Sequence, residues 1–164
     1  MYSKEELLKI NDDYERALSL IKILFKDITD KEGKPYINHL IRVSNNLENK
    51  NTKTAGLLHD VLEDIEYMDE EKLNELNFNN EIISLIKIVT NTKKDKSYSE
   101  YITSVLKTNN IEAIKIKYAD MSDNFNKERL NKLSENDKER LTKKYEKEII
   151  RIKDYLIKVG ELNE

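Results

Sequence analysis

The sequence predicts an all-α fold, and three observations carry that expectation. Its 164 residues include only three glycines and one proline, so turn-forming positions are scarce. The hairpin dipeptides Asn-Gly and Asp-Gly do not occur in it. Apolar residues recur at helical intervals along most of its length. Hydrophobic residues make up 38% and charged residues 37%, the balance of a globular domain with a heavily solvated surface. The length fits one compact helical bundle over residues 1–164 with a core of its own.

Ser3 and Glu6 form a capping-box pattern at the first helix. Ala17, Leu20, Ile21, Leu24 and Phe25 then mark one apolar face of a helix from about Asn11 to Ile28. Gly33 breaks the pattern, and Pro35 suits the first turn of a second helix running to Leu47. Thr52 is a candidate cap for a third helix reaching Ile65, and Asp69 for a short one through Leu76. Ile82, Leu85, Ile86 and Val89 place a helix over Glu81 to Val89, and Ser97 with Glu100 opens another. The IKIK stretch at 114–117 alternates as a strand would. Ile114, Tyr118 and Met121 nevertheless keep helical spacing, and a lone strand would have no partner, so the segment is predicted helical. The last helix, Glu135 to Val159, aligns Leu141, Tyr145, Ile149, Ile152 and Leu156 before Gly160 stops it.

Composition also excludes functions. Cysteine is absent, which removes disulfides, thiolate ligands and cysteine nucleophiles. The net charge of −3, from 29 basic and 32 acidic residues, provides no positive field for nucleic acid. No apolar run approaches the roughly 20 residues that span a bilayer, and no leader pattern opens the chain; the expected location is cytoplasmic.

The stretch AGLLHDVLED, residues 55–64, concentrates chemistry. With His59 at zero on a helical wheel, Glu63, Asp60 and Asp64 fall at about 40°, 100° and 140°, a single polar side. Leu58, Val61, Leu62 and Ile65 occupy the other. No basic residue lies between Lys53 and Lys72, although seven acids do. Like charges at such spacing repel unless something positive sits over them, and a bound cation would meet that need. The chain's other histidine, His39, lies in GKPYINHL beside Ile37, Leu40 and Val43. Two imidazoles with carboxylates suit a divalent transition metal held between helices. Asp120, in IKYADMSDNF, is the further carboxylate of choice, sharing a face with Asp123 and Asn124.

The order His39, His59-Asp60, Asp120 resembles the signature of the HD-domain metal-dependent phosphohydrolases. GKPYINHLIRV, GLLHDVLED and IKYADMSDNFNKERL resemble the three segments that carry it, and the likeness spans roughly residues 10–155. Glu63-Asp64 after His59-Asp60 resembles the hydrolase half of the guanosine tetraphosphate (ppGpp) synthetase/hydrolases and their small stand-alone relatives. The resemblance implies that His39, His59, Asp60 and Asp120 hold one divalent ion, Mn²⁺ by preference. It further implies that Glu63 and Asp64 handle the attacking water and that Asn124 lines the nucleotide site. The implied reaction releases pyrophosphate from the 3′ position of a guanine nucleotide. Lys31, Lys34 and Arg42, near the first histidine, are the candidate phosphate contacts. The sequence departs from the family where TDKEGKPY replaces an Arg-Lys-Asp-Gly-like run, where Leu40 replaces a proline, and where Asp123 replaces a frequent histidine. The expected partner is a small nucleotide, with neither nucleic acid nor a membrane involved, and a homo-oligomer is compatible with the sequence. The alternative is a catalytically silent metal- or nucleotide-binding module acting as a sensor or partner-binding protein.

Overall fold

The computed structural model describes residues 1–92, 95–126 and 130–164, with Lys144 described by its backbone alone. Its described residues form helices and no strand, apart from an isolated bridge between Thr29 and Pro35. The helices are α1 (Lys4–Leu8), α2 (Asp13–Leu24), α3 (Ile37–Asn45), α4 (Lys50–Leu58), α5 (Val61–Asp64), α6 (Glu70–Glu75), α7 (Asn80–Val89), α8 (Tyr98–Lys107), α9 (Ile111–Asn124) and α10 (Glu135–Lys158).

Side-chain caps start most of them. Ser3, Asp12, Asp69, Asn79, Ser97, Asn110 and Ser134 each accept a hydrogen bond from the backbone N–H three residues on, satisfying a donor the helix itself cannot use. The expected first two long helices are shorter than predicted. α2 ends at Leu24, and residues 25–36 form a loop in which the Asp30 carboxylate accepts from the N–H groups of Glu32 (2.9 Å) and Lys34 (3.0 Å). Gly33 takes φ +79° there, a conformation that favours glycine. Pro35 bridges to Thr29, so α3 begins two residues later than expected.

Helix α4 is the centre of the packing, touching α2, α3, α7 and α9. It is buried on nearly every side: Thr52, Thr54, Ala55, Gly56, Leu57 and Leu58 all lie in the interior. Thr52 is therefore an interior residue, donating to Glu112 at 2.8 Å, while Asn49 takes the cap position. α3 crosses α4 at Gly56, where a Cβ would meet Leu47 Cδ1 at 2.7 Å and the Ser44 Cα at 3.3 Å. A side chain there would have to displace Leu47 and press on the Ser44 backbone, so the close approach suits glycine, and it brings the two histidine-bearing segments together.

Two apolar clusters flank α9. One, from α2, α3, α4 and α7, takes Ala113, Ile116 and Ala119 of α9; the other, from α8 and α10, takes Ile114 and Met121. The IKIK alternation is thus a helix contacting both clusters, and its lysines have separate tasks. Lys115 pairs with Glu161 at 2.7 Å, whereas Lys117 is buried. No described helix is long and apolar enough to cross a membrane.

Candidate metal centre

The expected third helix does not run unbroken through AGLLHDVLED. It stops at Leu58; His59 and Asp60 form the junction, and α5 restarts at Val61. The backbone at Asp60 (φ −99°, ψ −2°) departs from helical values, so the wheel drawn across residues 59–64 does not apply. His59, expected on the open polar side, is instead 3% exposed. Glu63 and Asp64 remain open to solvent. The break turns His59 and Asp60 inward while leaving the following pair at the edge.

His39 of α3, the His59-Asp60 junction and Asp120 of α9 meet in the interior, each offering one ligand atom within 4.8 Å of the others. His59 donates Nδ1–H to the Gly56 carbonyl at 2.6 Å, leaving Nε2 3.2 Å from both Asp60 Oδ2 and Asp120 Oδ1. His39 places Nδ1 2.6 Å from Asp123 Oδ2, and its Nε2 lies 3.0 Å from Asp120 Oδ1 and 3.8 Å from Asp60 Oδ2. The two rings stand edge to face, 5.4 Å between centroids. Both imidazoles thus use Nδ1 outward and aim Nε2 at the same two carboxylates, the arrangement of a nitrogen–oxygen cation site.

The electrostatics agree with that reading. Burial would depress the imidazole pKa values, yet both stand above the ordinary value, His59 well above: hydrogen bonds to Asp120 and Asp123 raise His39, and the Asp60 and Asp120 charges raise His59. Burial likewise works against the ionised carboxylates. Lys117 and His59 nevertheless hold Asp120 well below the usual carboxylate range, and His59 lowers Asp60. The cluster is built to keep positive charge between its acids, whether protons or a cation.

Residues without an assigned role in the sequence analysis complete the surroundings. Tyr36, stacked on Phe25 at 5.5 Å, donates its hydroxyl to Asp60 Oδ2 at 2.6 Å. Lys117 donates to Asp120 Oδ2 at 2.9 Å and lies under the Tyr98 and Tyr101 rings, 5.6 and 5.0 Å from their centroids. Lys117 supplies part of the positive charge that the acidic stretch lacks in sequence. The only sequence signal for it is the (i, i+3) spacing to Asp120, which surface pairs share.

A cavity of about 180 Å³ opens on this cluster, lined by Asp60, Glu63, Asp64, Lys117, Asp120 and Asn124 among others. Glu63 accepts from the Asn91 N–H at 2.5 Å. Partial desolvation at the cavity's edge raises its pKa; the same desolvation and the nearby charges of Asp60 and Glu63 push Asp64 up to about 7. A second cavity of about 510 Å³ shares Tyr36, Asn124 and Tyr145 with the first and adds Lys31 and Arg140. Of the candidate phosphate contacts, Lys31 lines this larger cavity; Lys34 and Arg42 line neither. Arg42 donates from Nε (2.7 Å) and Nη2 (3.2 Å) to Asp123. Asn124 lines both cavities and donates to Asp120 Oδ1 at 3.2 Å.

Among solved structures, a metazoan ortholog of SpoT, described as hydrolysing ppGpp and playing a role in starvation responses, matches with a TM-score of 0.70. The match covers 93% of this chain and 98% of that one at 21% identity, a likeness of fold. No family model matches the chain.

Proposed function

We propose that this protein is a metal-dependent phosphohydrolase acting on a nucleotide, and that a guanosine polyphosphate of the ppGpp type is its substrate. The observation that carries the reading is the convergence of His39, His59, Asp60 and Asp120 beside a cavity edged by Glu63 and Asp64. The donor set fits a divalent transition metal: two imidazoles with their outer nitrogens already hydrogen-bonded, and two carboxylates. Mn²⁺ is the proposed ion. When bound, it supplies Lewis-acid polarisation of a phosphoryl oxygen and lowers the pKa of a water.

The chain's own residues do the rest. Glu63, fixed by the Asn91 N–H, and Asp64, whose raised pKa lies near neutrality, accept and hold the proton of the attacking water. Lys117, locked under its aromatic rings, provides a buried ammonium in the cavity that offsets phosphate charge without reorganising. Lys31 and Asn124, with Arg140, line the larger cavity, which has room for the rest of a nucleotide. Water attacks the phosphorus attached to the 3′ oxygen and that P–O bond breaks; the freed 3′ oxygen takes up the proton held by Glu63 and Asp64 to become a hydroxyl, and the attacked phosphorus departs within pyrophosphate. This reading places the protein with its nucleotide in the cytoplasm, as a single domain without nucleic-acid or membrane partners.

The test is to incubate the protein with ppGpp and a panel of other nucleotides, with Mn²⁺ and with EDTA. Release of pyrophosphate from ppGpp that stops on chelation is expected. Turnover indifferent to chelation removes the metal from the reading. Tight nucleotide binding without turnover under any metal replaces the enzyme with a silent module.

A further inference from the structure

The two imidazoles of the centre are held from behind by different groups. His59 donates Nδ1–H to a neutral carbonyl, that of Gly56 in the last turn of α4. His39 instead faces the Asp123 carboxylate at 2.6 Å, and the Asp123 side chain is only 7% exposed. Both oxygens of Asp123 are occupied: Oδ1 accepts from Arg42 Nε at 2.7 Å, and Oδ2 accepts from Arg42 Nη2 at 3.2 Å as well as facing His39. Asp123 also follows Asp120 by three residues on α9, so one helical turn carries a carboxylate facing Nε2 of His39 and another facing Nδ1. The arginine comes from α3, one turn after His39 itself.

We propose that Asp123 and Arg42 form an outer hydrogen-bonded pair that fixes the tautomer and aim of His39 and thereby strengthens the site's hold on a divalent ion. The proposal rests on the metal-centre reading above and deepens it. With Nδ1–H given to Asp123, the lone pair of Nε2 points at the space between Asp60 and Asp120. A charged acceptor polarises the imidazole more than a carbonyl does, making it the more basic ligand. Arg42 holds the carboxylate in plane through a two-point contact that a lysine cannot reproduce. Asp123 is a positioning residue. Arg42, on this account, acts on His39 through Asp123 instead of on a phosphate.

The experiment is Mn²⁺ calorimetry on chelator-stripped protein for the parent, Asp123→Asn, Arg42→Lys and Arg42→Gln, with melting of each ion-free protein. In parallel, ¹⁵N-histidine NMR of the Zn²⁺-filled proteins follows the two rings separately, since the chain has only two histidines. Asp123→Asn should raise the Kd for Mn²⁺ about 10- to 100-fold. Both Arg42 variants should weaken binding in the same direction but less. The His39 Nδ1–H proton should move upfield in Asp123→Asn, while that of His59, on the Gly56 carbonyl, stays in place as an internal control. If Asp123→Asn does not fold, the Arg42 variants and the His39 proton decide: a parent-like Kd and an unmoved resonance overturn the pair. Parent-like affinity in Asp123→Asn overturns the proposal while leaving the metal centre standing, and a parent that binds no Mn²⁺ removes both.

Discussion

In the proposed reaction Asp64 serves chemistry against stability. Its pKa in the folded chain, pushed up to about 7 by partial desolvation at the cavity's edge and by the charges of Asp60 and Glu63, lies above the ordinary 3.8. Between those values the folded state binds more protons than the unfolded one, so its contribution to stability falls as pH rises through that window. Asp64→Asn should therefore raise the melting temperature of the ion-free protein at about pH 8 and leave it unchanged near pH 4. Solvent screening at this open position keeps the gain to roughly 1 kcal/mol or less. Scanning calorimetry at the two pH values checks it, and an equal gain at both contradicts the electrostatic cause. Asp123 has the opposite sign: lowered to about 2 by His39 and Arg42, it contributes stability above the ordinary carboxylate pKa that is lost as pH falls toward 2. Glu63 is anchored by a backbone N–H outside the ligand set. Glu63→Gln should leave Mn²⁺ affinity near the parent's and slow hydrolysis about 10²- to 10⁴-fold. Turnover at the parent rate would remove Glu63 from the proton-handling role.

At the scale of the element, the α3–α4 crossing at Gly56 sets the distance between the histidines. Gly56→Val would drive side-chain atoms into Leu47 and the Ser44 backbone, an overpacking of about 2–3 kcal/mol. A melting temperature lower by roughly 5–10 °C, with weakened Mn²⁺ binding, is expected for a chain of this size; parent-like behaviour would mean that the crossing is not tight. The sequence made much of this level legible through local physics. The Ser3, Asp69 and Ser97 caps and the apolar faces of α2, α7 and α10 follow from residue type and spacing. Three features depend on partners distant in sequence and were not legible. The break at His59-Asp60 lies inside a run with helical periodicity, and it is the neighbours His39, Tyr36 and Asp120 that hold those side chains inward. Lys117 reads as half of a surface ion pair until the Tyr98 and Tyr101 rings cover it. The Arg42–Asp123 pair joins residues 81 apart, which no local pattern announces.

For the molecule as a whole, the centre ties together three parts of the chain that the apolar clusters also hold. His39 and His59-Asp60 belong to the side built on α4, and Asp120 sits on α9, which the second cluster packs from behind. An ion bound by all four residues exists only when these parts are assembled, so it stabilises the folded chain by about 2.7 kcal/mol at a hundredfold excess over Kd. That corresponds to a rise of roughly 5–10 °C in melting temperature. It also predicts that a ligand-loss variant such as Asp60→Ala forfeits the whole of the rise. The most direct measurement is the metal content of chelator-stripped protein refilled with Mn²⁺ and freed of excess ion, taken with its melting temperature. One retained ion per parent chain with the melting temperature raised, and none in Asp60→Ala, is the predicted result. A refilled parent that retains no ion and melts where the stripped protein does would contradict the account at its centre.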